Sequence, residues 1–183
     1  MTTAIARTSL IALIDVFVEQ GGILRPSRHG GWGKDTHGLD ISRLGNVDVV
    51  AAAFADGTFD CAVADGFIVK DEDGSYRLAP EVGMGATLHG WSDSDPYEVV
   101  AVSKSGKQIT LRAMHAKRDE SVTLEWVAGG FAGHCINQRD QRWILSSDPE
   151  GKTIKARLTK KGWSANGARV SLGEAHKFYD YNF

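Results

Sequence analysis

The sequence predicts an α+β fold, with a helical unit over residues 1–80 followed by a β-rich unit over 81–183 that curls into a small antiparallel barrel. Three observations carry the prediction. Apolar residues recur at helical spacing near the N-terminus. From residue 86 onward they come in short runs, alternating with polar residues and bounded by turns. Glycine is frequent (21 residues) and proline scarce (4), which suits many tight turns between strands.

The first helix rests on Leu10, Leu13, Ile14 and Phe17, which form one apolar stripe. Thr8 or Ser9 can cap its start, and Gly21-Gly22 ends it. A loop-like stretch runs from Ile23 to Asn46. A second helix is predicted over Asp48 to Ala55, with Asn46 or Asp48 near its cap and Asp56-Gly57 as its stop. A third spans Thr58 to Ala64 and ends at Asp65-Gly66. Phe67-Ile68-Val69 and Ser75-Tyr76-Arg77-Leu78 then flank the turn Asp71-Glu72-Asp73-Gly74 as a hairpin. Seven strands are predicted beyond it: Ala86 to Trp91, Tyr97 to Ser103, Lys107 to His115, Val122 to Val127, Arg142 to Ser146, Thr153 to Thr159 and Val170 to Leu172. The turn Asp148-Pro149-Glu150-Gly151 separates the fifth from the sixth, with proline setting φ and glycine supplying a positive φ. The aromatic tail Phe178, Tyr179, Tyr181 and Phe183 is expected to close the barrel, since that much apolar area is costly to leave in water. Its alternative role is a homodimer or partner contact.

Composition excludes several classes. The hydrophobic share is 42% and the charged share 24%, which is globular and not disordered. No apolar run reaches the roughly 18 residues of a membrane span. The stretch Leu10 to Val18 is not a signal peptide core, because Asp15 and Glu19 interrupt it and helical periodicity explains it. Cys61 and Cys135 are too few for a disulfide framework and are expected as buried free thiols in a reducing host cytoplasm. The net charge of −2 suits neither a strong non-specific nucleic-acid binder nor an acidic mimic of DNA. It hides an imbalance, however. Residues 1–80 carry 7 Lys/Arg and 11 Asp/Glu, whereas 81–183 carry 14 and 12. Residues 152–169 hold Lys152, Lys155, Arg157, Lys160, Lys161 and Arg169 with no acid.

Two segments resemble known families. Ala64-Asp65-Gly66-Phe67-Ile68 through Tyr76-Arg77-Leu78-Ala79-Pro80 resembles the last helix and wing of a winged helix. This resemblance implies a three-helix unit with a β wing. It departs from the DNA-reading pattern, because Asp60 and Asp65 occupy the helix before the wing, where Arg, Lys, Asn or Gln would read bases. A winged-helix shape used for packing or protein contact is therefore expected. Val82-Gly83-Met84-Gly85-Ala86-Thr87 with Tyr97-Glu98-Val99-Val100 and Ser103-Lys104-Ser105-Gly106-Lys107 looks like the opening of an SH3-like barrel. Together with Gln141-Arg142-Trp143 and the ending from Ser171-Leu172-Gly173 to Phe183, this half resembles small accessory proteins of phages and prophages. That resemblance implies a mobile-element origin and transfers no catalytic residues.

Two surfaces are candidate sites. In Thr153-Ile154-Lys155-Ala156-Arg157-Leu158-Thr159 the apolar residues are all even-numbered, so Lys155 and Arg157 share the opposite, solvent face. Lys161 and Arg169 can extend that face. Trp143 and Trp163 lie near in sequence, a combination suited to phosphate contact with base stacking. The competing reading is a solvated strand whose charge discourages edge pairing. The second surface is the loop holding Arg25, Arg28, His29, Trp32, Lys34 and His37, whose glycines permit close approach of a partner. It lacks the Gly-Lys-Ser/Thr of a phosphate-cradling loop. No Cys-x-x-Cys or His-x-x-x-His pair occurs, so neither a metal nor a cofactor is predicted. No nucleophile–base set is recognisable either, so no enzyme is predicted. The expected function is non-catalytic binding by a phage-type accessory protein that docks on and inhibits a host protein or ribonucleoprotein. The alternatives are nucleic-acid binding through the basic β surface, or a virion or assembly component.

Overall fold

A computed structural model of the chain describes residues 7–20, 22–24, 47–129 and 133–182. The chain divides into two compact units, Met1–Ala79 and Pro80–Phe183.

In the first unit α1 (Arg7–Glu19) leads into β1 (Ile23–Leu24), α2 (Val47–Ala55), α3 (Thr58–Ala64) and the hairpin β2 (Ile68–Lys70)–β3 (Tyr76–Leu78). Of the α1 stripe, Leu13 and Phe17 are fully buried, and Leu10 and Ile14 pack against the same core. The helix begins at Arg7, so Thr8 and Ser9 lie within its first turn instead of capping it. Gly22 takes a φ of 86°, and its N–H donates to the Phe17 carbonyl, which stops the helix. Asp48 likewise falls inside the first turn of α2, and Asn46 lies outside the described residues. Phe59 of α3 centres the core, with ring centroids 6.4 Å from Phe17, 4.4 Å from Phe54 and 4.8 Å from Tyr76. Burying a ring of this kind contributes about 2–3 kcal/mol. The unexpected strand β1 pairs with β3, giving a three-stranded antiparallel sheet of order β1-β3-β2. Two residues are too few for alternation to announce a strand. Across the turn, buried Arg77 donates from Nε to both Asp71 carboxylate oxygens at 3.1 and 3.2 Å.

The second unit contains β4 (Gly85–His89), β5 (Ser94–Val102), β6 (Gln108–Ala113), β7 (His115–Arg118), β8 (Trp126–Val127), β9 (His134–Cys135), β10 (Trp143–Ser146), β11 (Thr153–Thr159), β12 (Gly162–Ala165) and β13 (Ala168–Gly173). Six of these close an antiparallel barrel in the order β4-β5-β6-β11-β12-β13, with β13 returning to β4. The fold is thus α+β with a small antiparallel barrel, as the sequence predicts. The barrel is an up-and-down meander interrupted once, by residues 114–152. Its core holds Ala86, Val99, Ile109, Leu111, Ala156, Trp163, Ala165, Val170 and Leu172. These come from alternate positions of the strands, as a closed barrel with a packed interior demands. The interruption folds as two short ladders, β7 on β10 and β8 on β9.

The chain after β13 runs over the outside of β4 as a strap. Thr87 Oγ1 donates to the Glu174 carbonyl and accepts from the His176 N–H, both at 2.9 Å, which buries an outward-facing threonine. Ser94 then bridges Phe178. Farther on, the strap fastens to the interruption through Gln141, Gln138 and Cys135. Tyr181 packs on Tyr179 and on Trp126 at 4.9 and 5.7 Å between ring centroids. The expectation that the tail closes the barrel is corrected here. The barrel is closed by strands, including the unexpected β12, and Tyr179 and Tyr181 pack outside it. Phe183 lies outside the described residues.

Candidate nucleic-acid interface

β11 presents the alternation read from its sequence. Ala156 is buried, Ile154 and Leu158 are half-buried against the core, and Thr153, Lys155, Arg157 and Thr159 are exposed. Registration against neighbouring strands places the other candidates. Arg157 pairs with Gln108 of β6 on one side and Ser164 of β12 on the other. Ser164 pairs with Arg169 of β13, and Arg169 pairs with His89 of β4. Antiparallel partners project on the same side of a sheet. Gln108, Arg157, Ser164, Arg169 and His89 therefore form one row around the outside of the barrel. Arg157 and Arg169 are two strands apart, roughly 10 Å at ordinary strand spacing. Lys155 stands beside Thr110 of β6.

Lys161 lies in the β11–β12 turn with Lys160, and both are exposed. That turn neighbours the β5–β6 turn, because the Leu158 N–H donates to the Lys107 carbonyl at 2.9 Å. Lys104 and Lys107, exposed in the second turn, thus join the first pair at one end of the barrel. Sequence reading missed these two, since β6 and β11 lie some 45 residues apart along the chain. The signal that could have found them is the absence of acid. Residues 99–118 and 151–173 contain no Asp or Glu at all, and these two stretches carry β6 and β11. Across β6, Glu98 of β5 faces Arg112 and accepts from its Nη2 at 2.7 Å. The Ser147 hydroxyl and then the Arg112 guanidinium hold Glu98 below the usual carboxylate range.

The stacking part of the expectation needs correction. Trp163 is only 2% exposed and belongs to the barrel core, because its strand turns that face inward. Trp143 sits on β10, with its indole N–H donated to Gln141 and Lys177 over its ring. Neither ring lies open beside Lys155 and Arg157. Among the described residues the most exposed ring is Trp91, in the turn between β4 and β5, at 94%.

The remaining candidates Arg25, Arg28, His29, Trp32, Lys34 and His37 lie outside the described residues. Cys135 is buried and Cys61 half-buried, both free. His134 and Cys135 point apart on β9, one exposed and one buried. Among the described residues no cluster of three or more His, Cys, Asp or Glu could hold a metal, and no helix is long and apolar enough to cross a membrane.

One nucleophile and one base do meet: His89 Nε2 and Ser171 Oγ are 2.8 Å apart on the barrel exterior. Their surroundings oppose proton abstraction. Burial first, then the charges of Arg169 and His176, push the His89 pKa down. A general base in a triad needs the opposite, a carboxylate that stabilises the imidazolium. What this arrangement can do is present cations and hydrogen-bond donors to an anion. No protein-family model, curated protein or solved structure matches the chain.

Proposed function

We propose that this is a non-catalytic binding protein whose barrel face, centred on Lys155 and Arg157, engages the phosphates of nucleic acid. The observation that carries the reading is the pairing of two acid-free stretches, 99–118 and 151–173, through β6 and β11. Their cations then come together: Lys155 and Arg157 on β11, Arg169 two strands round on β13, and Lys104, Lys107, Lys160 and Lys161 in the turns at one end. Such convergence raises the local positive potential even though the whole chain carries −2. Membership of the phage or prophage accessory class, with action inside a host cell, is proposed on the resemblance of residues 82–183.

The first unit is proposed as a winged helix that does not read DNA. The order helix, strand, two helices, hairpin and the sheet order β1-β3-β2 support the shape. α3 carries no Lys or Arg and exposes Asp60, with exposed Asp65 just past its end, which suits a packing or protein-contact role.

The test is binding of random duplex and single-stranded DNA and RNA at two salt concentrations, with the Lys155→Ala/Arg157→Ala variant alongside. The expected result is salt-dependent binding. In the variant the log–log salt slope shrinks by about 1.4 for single strands or 1.8 for duplex. Absence of binding at low salt removes the reading.

A second reading has its own observation. β8 exposes Trp126 and Val127, Ile136 just past β9 is exposed, and β10 exposes Ile144. Exposed apolar side chains of this size are a feature of protein-docking surfaces. This favours a host protein or ribonucleoprotein, bound and inhibited through the interruption, and a pull-down with Trp126→Ala and Ile136→Ser variants tests it.

A further inference from the structure

From the placement of Trp91 relative to the cationic row we infer that the ligand of the barrel face is a single strand of nucleic acid, one of whose bases stacks on Trp91. This inference rests on the proposed nucleic-acid reading and narrows it to one form of ligand.

Trp91 stands at the tip of the β4–β5 turn, held by the Gly90 N–H donating to the Asp93 carbonyl at 2.8 Å. At 94% exposure the indole has nothing across its faces. A large apolar ring at a hairpin tip contributes nothing to the core described above, yet the turn holds it clear of the barrel. His89 lies two residues back along β4, about 7 Å. Its cross-strand partner is Arg169, and Arg157 follows two strands on. Ring, Arg169 and Arg157 therefore follow one path of roughly 25 Å around half of the barrel, from β4 across β13 and β12 to β11. Three carboxylates near the tip, those of Asp93, Asp95 and Asp180, each accept a hydrogen bond. Asp93 Oδ1 accepts the Asp180 N–H at 2.7 Å, and Asp95 pairs with Lys177 at 2.6 Å.

An indole with free faces needs a base with a free face. In a duplex each base face is covered by its neighbours, so only an unstacked strand supplies one. Phosphates spaced along such a strand then meet Arg169 and Arg157, and the turn lysines extend the track. This combination of a stacking ring with a cationic groove is how sequence-tolerant single-strand binders work, with sites of about 4–16 nucleotides. The structure distinguishes no 2′-hydroxyl, so the shared chemistry is a DNA or RNA single strand.

The experiment titrates the full chain with labelled oligothymidylate and oligouridylate of about 12 nucleotides, and with a duplex of equal length, at low salt. Anisotropy and intrinsic tryptophan fluorescence are read for the unaltered protein, Trp91→Ala, Trp91→Phe and Lys155→Ala/Arg157→Ala. The DNA and RNA arms identify which strand is preferred. Expected are tighter binding of single strand than duplex and quenching of indole fluorescence on binding. Trp91→Ala should lose roughly 5- to 150-fold in single-strand affinity with its salt slope unchanged, and Trp91→Phe should restore most of it. Equal affinity of Trp91→Ala and unaltered protein for single strand, or equal binding of duplex and single strand, overturns the inference. If binding then still depends on salt and on Lys155 and Arg157, the basic-face reading stands alone. If neither strand nor duplex binds the unaltered protein, both fall.

Discussion

The side-chain amide of Gln141 holds both backbone polar groups of Tyr179, donating from Nε2 to its carbonyl and accepting its N–H at Oε1, each at 2.9 Å. The amide thus stands in for a neighbouring strand. The same Oε1 accepts the Trp143 indole N–H at 2.8 Å, which ties β10 to the strap.

Replacing Gln141 with leucine is therefore expected to cost about 1–3 kcal/mol, because it orphans groups that are shielded from water. Hydrogen exchange should quicken at Tyr179, Tyr181 and Asn182, while Ile109 and Leu111 in the barrel stay protected. Uniform loss of protection across the unit would show instead that strap and barrel melt together.

Gly85→Ala tests the strap at its other end. A Cβ there would lie 2.6 Å from the Ala175 backbone nitrogen, which has no flexible side chain to move away. The expected destabilisation is about 1–3 kcal/mol in a thermal or denaturant melt. Gly129→Ala, whose nearest neighbour would be His134 Cβ at 3.9 Å, is the control and should be near neutral in packing terms.

His89 should make stability pH-dependent. Burial first, then the electrostatic influence of Arg169 and His176, depresses its pKa in the fold below the 6.5 of the unfolded chain. The unfolded state then binds more protons as pH falls through 6.5. This contribution is complete well above 6.5 and erodes as pH drops toward the folded-state pKa. In His89→Gln the midpoint of unfolding between pH 7 and 5 should vary less than in the unaltered protein. An unchanged pH profile would remove His89 as the source.

Glu98 and Arg112 face each other across β5 and β6, half-buried, with Arg112 donating from Nε and Nη2 to Glu98 Oε1. Arg112→Met leaves that carboxylate without its cation, and about 1–2 kcal/mol of stability should be lost at neutral pH. The loss should narrow in acid. A carboxylate with a depressed folded pKa contributes above its unfolded pKa and ceases to as pH falls through the folded value. A pH-independent difference between the two proteins would assign the effect to packing of the arginine stem.

What could be read in the sequence follows from how local each signal is. α3 and β11 fall on their expected bounds, because Asp56-Gly57 and Asp65-Gly66 punctuate the one, and one barrel-facing side imposes strict alternation on the other. Lys155 and Arg157 were legible for that reason alone. Lys104 and Lys107 were not, since their proximity depends on β6 pairing with β11 across a long excursion. Trp163 was misread because a short strand after a Lys-Lys-Gly turn gives no period from which to judge its inward face. The sequence extends the first barrel strand to Trp91, whereas β4 stops at His89 and leaves it in the turn. The strap escaped altogether, because side-chain amides and a threonine hydroxyl hold it, and their partners lie about 40 to 90 residues away.

The seam between β4 and β13 has a consequence for how the chain is made. Residues 85–89 emerge from the ribosome well before residues 168–173, yet each is the other's neighbour. At usual elongation rates roughly 5 to 20 s separate the two. Through that interval β4 keeps a bare hydrogen-bonding edge, which is a template for wrong pairing between nascent chains. The barrel can seal only once residues 168–173 have been made. Conditions that slow translation past residue 113 should therefore lower the yield of folded protein more than its final stability suggests.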